Sequence, residues 1–246
     1  NNIDFVDLTA IIRKDWTLAF CDELKRRNLK TPWQLPSGTR SEALDEEVLQ
    51  ALYDTGCRLI TYAPESASEE TLRQIKKKIK IDRLIQSIRT ANKIGHTTKF
   101  NIVIGFPDDT LGGILKTAWF VFKMALFGSE DCVVTKFSPY PGSELYRRLR
   151  DENKIPPPDD NYIYSLAGFM DFTRTESYCK EVGGRTLSFL VIVMHAIFYS
   201  VAYLTHPKRI FRVFKSLTKK HFVPSNVLEQ RLYDVFMREK YSAAKN

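Results

Sequence analysis

At 246 residues and 43% hydrophobic content, the chain can bury one large α/β core or two smaller ones, which excludes a disordered polypeptide. Its formal charge of +8 would suit a nucleic-acid binder, but no Asp or Glu lies between Glu181 and Glu229, where Arg185, Lys208, Arg209, Arg212, Lys215, Lys219 and Lys220 stand. The basic excess therefore belongs largely to the tail, and nucleic acid is not expected as a partner.

Asp4 to Leu8 reads as a short strand and Asp15 to Asn28 as a helix, with Leu18, Ala19, Cys21 and Leu24 apolar. The chain opens on Asn1, straight into a strand pattern with no signal or transit segment, so a missing true N-terminus is expected. Pro32 to Leu35 is the next strand, ending at Ser37-Gly-Thr-Arg40. Asp45 starts a helix with Val48, Leu49 and Leu52 at helical spacing and Gly56 as its cap. Arg58 to Tyr62 is a strand, and Ser68 caps a helix whose Glu69 and Glu70 suit its positive end. A further helix covers Asp82 to Lys93 and stops at Gly95. Lys99 to Ile104 is a strand, Leu111 to Leu126 a helix and Cys132 to Phe137 the last strand.

This alternation predicts a parallel sheet with helices outside, either a barrel or a doubly wound sheet. Only about five strands are visible, fewer than an eight-stranded barrel needs. Three strand ends between them are rich in Gly, Pro, Ser and carboxylates: Pro64-Glu-Ser66, Gly105-Phe-Pro-Asp-Asp-Thr110 and Ser138-Pro-Tyr-Pro-Gly-Ser143. The carboxyl ends of parallel strands are where α/β folds build their sites. Cys21, Cys57, Cys132 and Cys179 are scattered, which predicts reduced, mostly buried cytoplasmic thiols and argues against a metal site among them.

Residues 151–186, with Pro156-Pro-Pro158, break the rhythm and are expected to be a linker or a loop across the barrel mouth. Residues 187–246 form a helical tail. Leu187 to Leu204 lacks any formal charge over eighteen residues, at the threshold for a membrane span. Ser188, His195, Tyr199 and His206 nevertheless place a polar stripe along one helix face. Pro207 opens a basic amphipathic segment with Ile210, Phe211, Phe214 and Leu217. A helix lying on an anionic membrane surface and a helix packed on the barrel both fit, and a true span fits less well.

The strand ends, with Arg40, Leu44-Asp-Glu-Glu-Val-Leu49, Gly56-Cys57, Lys77, Gly95 and Pro139-Tyr-Pro-Gly-Ser-Glu-Leu-Tyr146, resemble the radical S-adenosylmethionine enzymes. The resemblance is to their cobalamin-binding-domain group, which includes the anaerobic cyclase of bacteriochlorophyll synthesis, and it runs from about Asp4 to Leu149. It implies a partial (β/α)6-type barrel over residues 1–150 that lacks its first strand and cluster loop, followed by the helical tail. Glu65 and Ser66 would then bond ribose hydroxyls; the alternative is a helix cap made by Ser66 or Ser68 with Glu65 solvated. The family's G-x-I-x-G-x-x-E pattern stands here as Asn101-x-Val103-x-Gly105-x-x-Asp108, with its first Gly and last Glu replaced. Gly105 would admit adenine to the backbone beside Val103. Ser138 and Tyr140 lie where the family presents backbone groups to adenine, or pack as a rigid loop. Arg40 suits the methionine carboxylate or an ion pair with Asp7 or Asp45. Asp7 and Thr9 would stand on the rim, and the Lys76, Lys77, Lys78 and Lys80 run reads as a solvated face. No catalytic base is singled out.

The family's C-x-x-x-C-x-x-C loop for a 4Fe-4S cluster is missing from this chain, so the resemblance implies that its ligands lie in an N-terminal part. The implied cofactors are S-adenosylmethionine and that cluster, with cobalamin left open. The resemblance implies an electron donor and a small-molecule substrate, while the apolar and basic tail suggests a hydrophobic substrate and a membrane surface as partner. Two rivals stay open: a phosphate-binding barrel enzyme using the Gly105 and Gly142 loops, and a degenerate barrel acting as a membrane-recruited binding module.

Overall fold

The computed structural model describes residues 2–6, 11, 13–39, 43–166, 176–217, 226 and 228–230. The five expected strands are present as β1 (Ile3–Asp4), β2 (Trp33–Thr39), β3 (Cys57–Glu65), β4 (Thr97–Ile104) and β5 (Asp131–Lys136). All pairings are parallel and each strand lies beside its sequence neighbour, in the order β1-β2-β3-β4-β5. The sheet curls into a half-barrel. The expected first strand is shorter than predicted, and its continuation at 7–10 lies outside the described residues.

Between the strands run α1 (Lys14–Arg26), α2 (Glu46–Asp54), α3 (Glu69–Gln74), α4 (Ile81–Ile94) and α5 (Leu111–Leu126). Their ends follow local chemistry. Asp45 accepts the Val48 amide at 3.0 Å, Ser68 the Thr71 amide at 3.4 Å and Thr110 the Gly113 amide at 3.0 Å, each meeting an otherwise unpaired first-turn N–H. Gly95 ends α4 at φ +113°, a conformation that costs glycine little.

Burial alternates strictly along β4. Thr98, Phe100, Ile102 and Ile104 point outward into the helix layer, while Lys99, Asn101 and Val103 stand half-buried on the concave side. Phe100 meets Phe120 of α5 edge-on, with ring centres 5.6 Å apart, and Tyr62 of β3 bonds Ser87 of α4 at 3.0 Å. The core therefore lies between the sheet's convex face and the helices, and the concave face is left for a site.

Beyond β5 come α6 (Glu144–Asp151) and α7 (Asp160–Leu166), which the proline-rich sequence did not suggest. Tyr146, Leu149, Ile155, Tyr162 and Leu166 form a small second core, and the Tyr162 hydroxyl donates to the Pro139 carbonyl at the exit of β5.

The apolar stretch of the tail becomes α8 (Gly184–Thr205), followed by α9 (Lys208–Leu217). The polar stripe on α8 is turned toward β5, the last strand of the sheet. Lys136 donates to Ser188 at 3.0 Å, the Val134 amide to His195 Nε2 at 3.3 Å and the Tyr199 hydroxyl to Asp131 at 2.6 Å. His195 Nδ1 bonds the Val191 carbonyl at 2.8 Å, so the tautomer protonated at Nδ1 satisfies both nitrogens. A strand edge that would present unpaired amides is thus capped by a helix. Below it, Arg209 donates to the Ser129 and Gly128 carbonyls at 3.0 and 2.7 Å and pairs with Glu130, while Arg212 pairs with Glu130 and Glu229. Two cations of the basic tail are therefore spent inside the protein.

Candidate functional site

Glu65 closes β3 in the left-handed region, at φ +66°. A non-glycine residue held there stores on the order of 1–3 kcal/mol, and such outliers gather at functional sites. Its carboxylate accepts Lys77 Nζ at 2.8 Å, and the same ammonium donates to the Ala63 carbonyl at 2.8 Å. Lys77 arrives there because α3 ends in a reversing turn. Lys76 adopts φ +58° and the Lys77 amide reaches back to the Leu72 carbonyl at 2.8 Å. Of the lysine run read as a solvated face, Lys76 pairs with Glu144 at the surface, whereas Lys77 is part-buried in the site.

The loop after β4 is organised by Asp109, which sequence reasoning passed over. Its Oδ2 accepts the Gly105 and Phe106 amides at 2.8 and 3.1 Å, and its Oδ1 accepts the Thr71 hydroxyl at 2.7 Å. Burial pushes this carboxyl above its ordinary range, against the pull of those three bonds. Asp108 behaves oppositely. The hydrogen bond from Lys180, followed by Arg148, holds its carboxyl below the usual range. The segment around residue 180 lies over this loop: the Lys180 amide bonds the Pro107 carbonyl at 3.1 Å, and Cys179 Sγ the Asp109 carbonyl at 3.3 Å. The Pro-Asp-Asp-Thr run was the available signal, because two adjacent carboxylates in a tight turn must be paid for by donors.

Of the expected site residues, Glu65, Val103 and Gly105 stand at the carboxyl ends of the neighbouring strands β3 and β4. Asn101 lies one step deeper on the concave face, beside Val133 of β5. Ser138 is half-buried and Tyr140 is 53% exposed on the segment leaving β5. Phe137, next to Ser138, packs its ring on Phe106 at 5.0 Å, which joins the two strand exits. Ser66 is placed apart: it is 3% exposed, with its hydroxyl between Thr117 of α5 at 3.2 Å and the Ser68 amide at 3.1 Å. Gly105, at φ +81°, has its amide on Asp109 and its open side toward Leu187 of α8. Arg40, Asp7 and Thr9 lie outside the described residues, and Asp45 pairs with Lys14 at 2.6 Å.

Among the described residues no three His, Cys, Asp or Glu side chains gather where they could hold a metal ion. Cys21, Cys57 and Cys132 are buried core thiols, and burial pushes Cys57 up to about 12. The concave rim therefore offers one ion-paired carboxylate, an amide side chain, a hydroxyl, an exposed phenol and an apolar valine wall. That is a set suited to a polar small molecule with hydroxyl groups and a flat ring.

No family model matches the chain. Over 144 residues, 58% of this chain and 30% of the relative, it is 30% identical to an uncharacterized methyltransferase of Pyrococcus horikoshii. Over 150 residues, 61% of this chain and 26% of the relative, it is 23% identical to the anaerobic magnesium-protoporphyrin IX monomethyl ester cyclase of Rubrivivax gelatinosus. Among solved structures, the cobalamin-dependent S-adenosylmethionine radical enzyme OxsB superposes with a TM-score of 0.47 at 14% identity, covering 97% of this chain and 38% of that one. The matches span less than a third of the length of these curated relatives.

Proposed function

We infer that this chain, a member of the radical S-adenosylmethionine enzymes, supplies the nucleoside-holding strands of a partial (β/α) barrel whose complete protein modifies a small molecule. The observation that carries this reading is the pairing of Glu65, held at φ +66° by Lys77, with the glycine-ended β4 beside it. Glu65 Oε1 is fixed by Lys77, leaving Oε2 to accept a ribose hydroxyl. Asn101 and Ser138 offer further hydrogen bonds, Val103 a wall for the adenine ring and Tyr140 an edge. Ser66 supports the turn from the helix side rather than meeting the ligand. Arg40 is assigned to the methionine carboxylate.

Bound S-adenosylmethionine would supply one of two chemistries: a 5′-deoxyadenosyl radical, with methionine released when one electron from the donor cleaves its C–S bond, or a methyl group passed to a nucleophile, with S-adenosylhomocysteine as the leaving group. The residues of this chain bind it, orient it and keep water from it. The sequence has no C-x-x-x-C-x-x-C run for the 4Fe-4S cluster that this chemistry calls for, so in this reading its thiolates are supplied from outside these residues, and an electron donor docks beside them. Leu59, Ala63, Val103 and Val133 on the concave side support a hydrophobic substrate, and cobalamin is a cofactor to be tested with it. The same reading places the protein in the cytoplasm at a membrane surface.

Isothermal titration of S-adenosylmethionine into the full-length protein tests the site. Glu65→Gln should weaken binding about tenfold, the scale of one charge-assisted hydrogen bond. It should leave stability nearly unchanged, because the Glu65–Lys77 pair is part-exposed. Undiminished affinity in Glu65→Gln and Asn101→Ala together would remove the assignment.

A further inference from the structure

The helices α5 and α8 lie side by side and run in the same direction. Leu187, near the start of α8, sits against Gly105 just ahead of α5, and His206, just past α8, sits against Gly128 just past α5. Their inward residues, among them Phe120, Met124, Val191 and Phe198, are core. Their outward residues are also apolar. On α5, Leu111, Leu115, Trp119 and Leu126 are exposed, with Trp119 at 59% and stacked on Phe122 at 4.9 Å. On α8, Phe189, Ile192, Ile197 and Leu204 are exposed, with Leu204 at 78%. Single exposed apolar residues need no explanation, but two neighbouring helices lined with them do.

Charge selects what covers this face. None of α5, α8 and α9 contains an Asp or a Glu. Exposed Lys116, Arg185 and Lys208 stand on the same three helices. Arg209 and Arg212 are neutralised internally, so among the described side chains Lys116, Arg185 and Lys208, with half-buried Lys123, are the cations left beside the apolar face. We propose that the α5–α8 face lies on an anionic lipid surface, with Leu115, Trp119, Ile192 and Leu204 entering the acyl boundary and Lys116, Arg185 and Lys208 meeting headgroups. An apolar strip accompanied only by cations is complementary to such a surface. α8 is long and apolar enough to cross a bilayer, but in this proposal it lies flat. One flank of the helix, the stripe next to Ile192, is bonded to β5 through Ser188, His195 and Tyr199, and crossing would strand those groups in hydrocarbon. The side chains of Lys215, Lys219 and Lys220, at the basic end of the tail, lie outside the described residues.

This inference deepens the membrane part of the proposed function and is independent of its radical chemistry. Co-sedimentation of the full-length protein with phosphatidylcholine vesicles, with and without phosphatidylglycerol, tests it. The wild type should bind the anionic vesicles, Trp119→Glu with Ile192→Glu should abolish binding, and Lys116→Gln should weaken it about fivefold. Should the double variant unfold, brominated acyl chains provide a second readout. They should quench wild-type fluorescence and lose most of that quenching in Trp119→Phe. A full-length protein that ignores anionic vesicles, or that buries Trp119 against another domain or a second copy, overturns the proposal. So does a folded double variant that still binds. S-adenosylmethionine affinity, read separately on the same samples, tells failure of this surface from failure of the cofactor site.

Discussion

Leu187 of α8 fills the space that a side chain on residue 105 would need: its Cδ1 lies 2.5 Å from where a Cβ would stand. The end of β4 and the start of the tail helix are therefore shaped by each other. Gly105→Ala adds left-handed backbone strain of about 1–2 kcal/mol to overpacking of about 1–3 kcal/mol. A total loss of about 3 kcal/mol is expected in urea unfolding. Combining it with Leu187→Ala should recover the packing part and leave the strain, so the two changes will not add.

Asp109 holds three donors in a buried position. Asp109→Ala strands two backbone amides at the end of β4, with an expected cost of about 3 kcal/mol. Hydrogen exchange at Gly105 and Phe106 should quicken well beyond the global change, and equal protection in the variant would show that the loop does not depend on this carboxylate.

His195 is the acceptor for an edge amide of β5. His195→Leu keeps the apolar packing and removes the acceptor, leaving the Val134 N–H unpaired at a cost of about 1–3 kcal/mol. Amide exchange at Val134 reads the effect directly, because a leucine that merely repacked the helix would leave that amide protected.

Burial holds the His96 ring below its ordinary value of 6.5. Its Nε2 meets the Leu49 carbonyl at 2.9 Å, and its buried Nδ1 has no partner, so a second proton would add a charge and an unmet donor. A lowered folded-state value means that the unfolded chain takes up the proton first as pH falls. The stabilising contribution of His96 is therefore complete above 6.5 and lost as pH drops through the lowered value. Unfolding free energies should decline with acidification below 6.5 in the wild type, and less steeply in His96→Phe.

Much of this architecture could be read from the chain because it rests on local physics. Asp45, Ser68 and Thr110 cap helices with their own side chains, Gly95 supplies a left-handed turn, and the β-branched runs alternate with amphipathic ones over short spans. None of these needs a distant residue. The stripe of Ser188, His195 and Tyr199 was equally visible as a spacing.

What that stripe meets was not visible, since Asp131, Val134 and Lys136 lie more than fifty residues earlier in the chain. Only the folded sheet brings an edge with unpaired groups beside that helix. The same holds for Lys77, indistinguishable from its lysine neighbours until a turn at Lys76 aims it at Glu65, and for Asp109 in the loop after β4, whose partner Thr71 is on α3. Residue types and their local spacing determined the five strands and the helices between them, though not α6 and α7. The tertiary structure decided which polar groups face one another, because satisfying a buried donor or charge depends on what the fold carries to it from far along the chain.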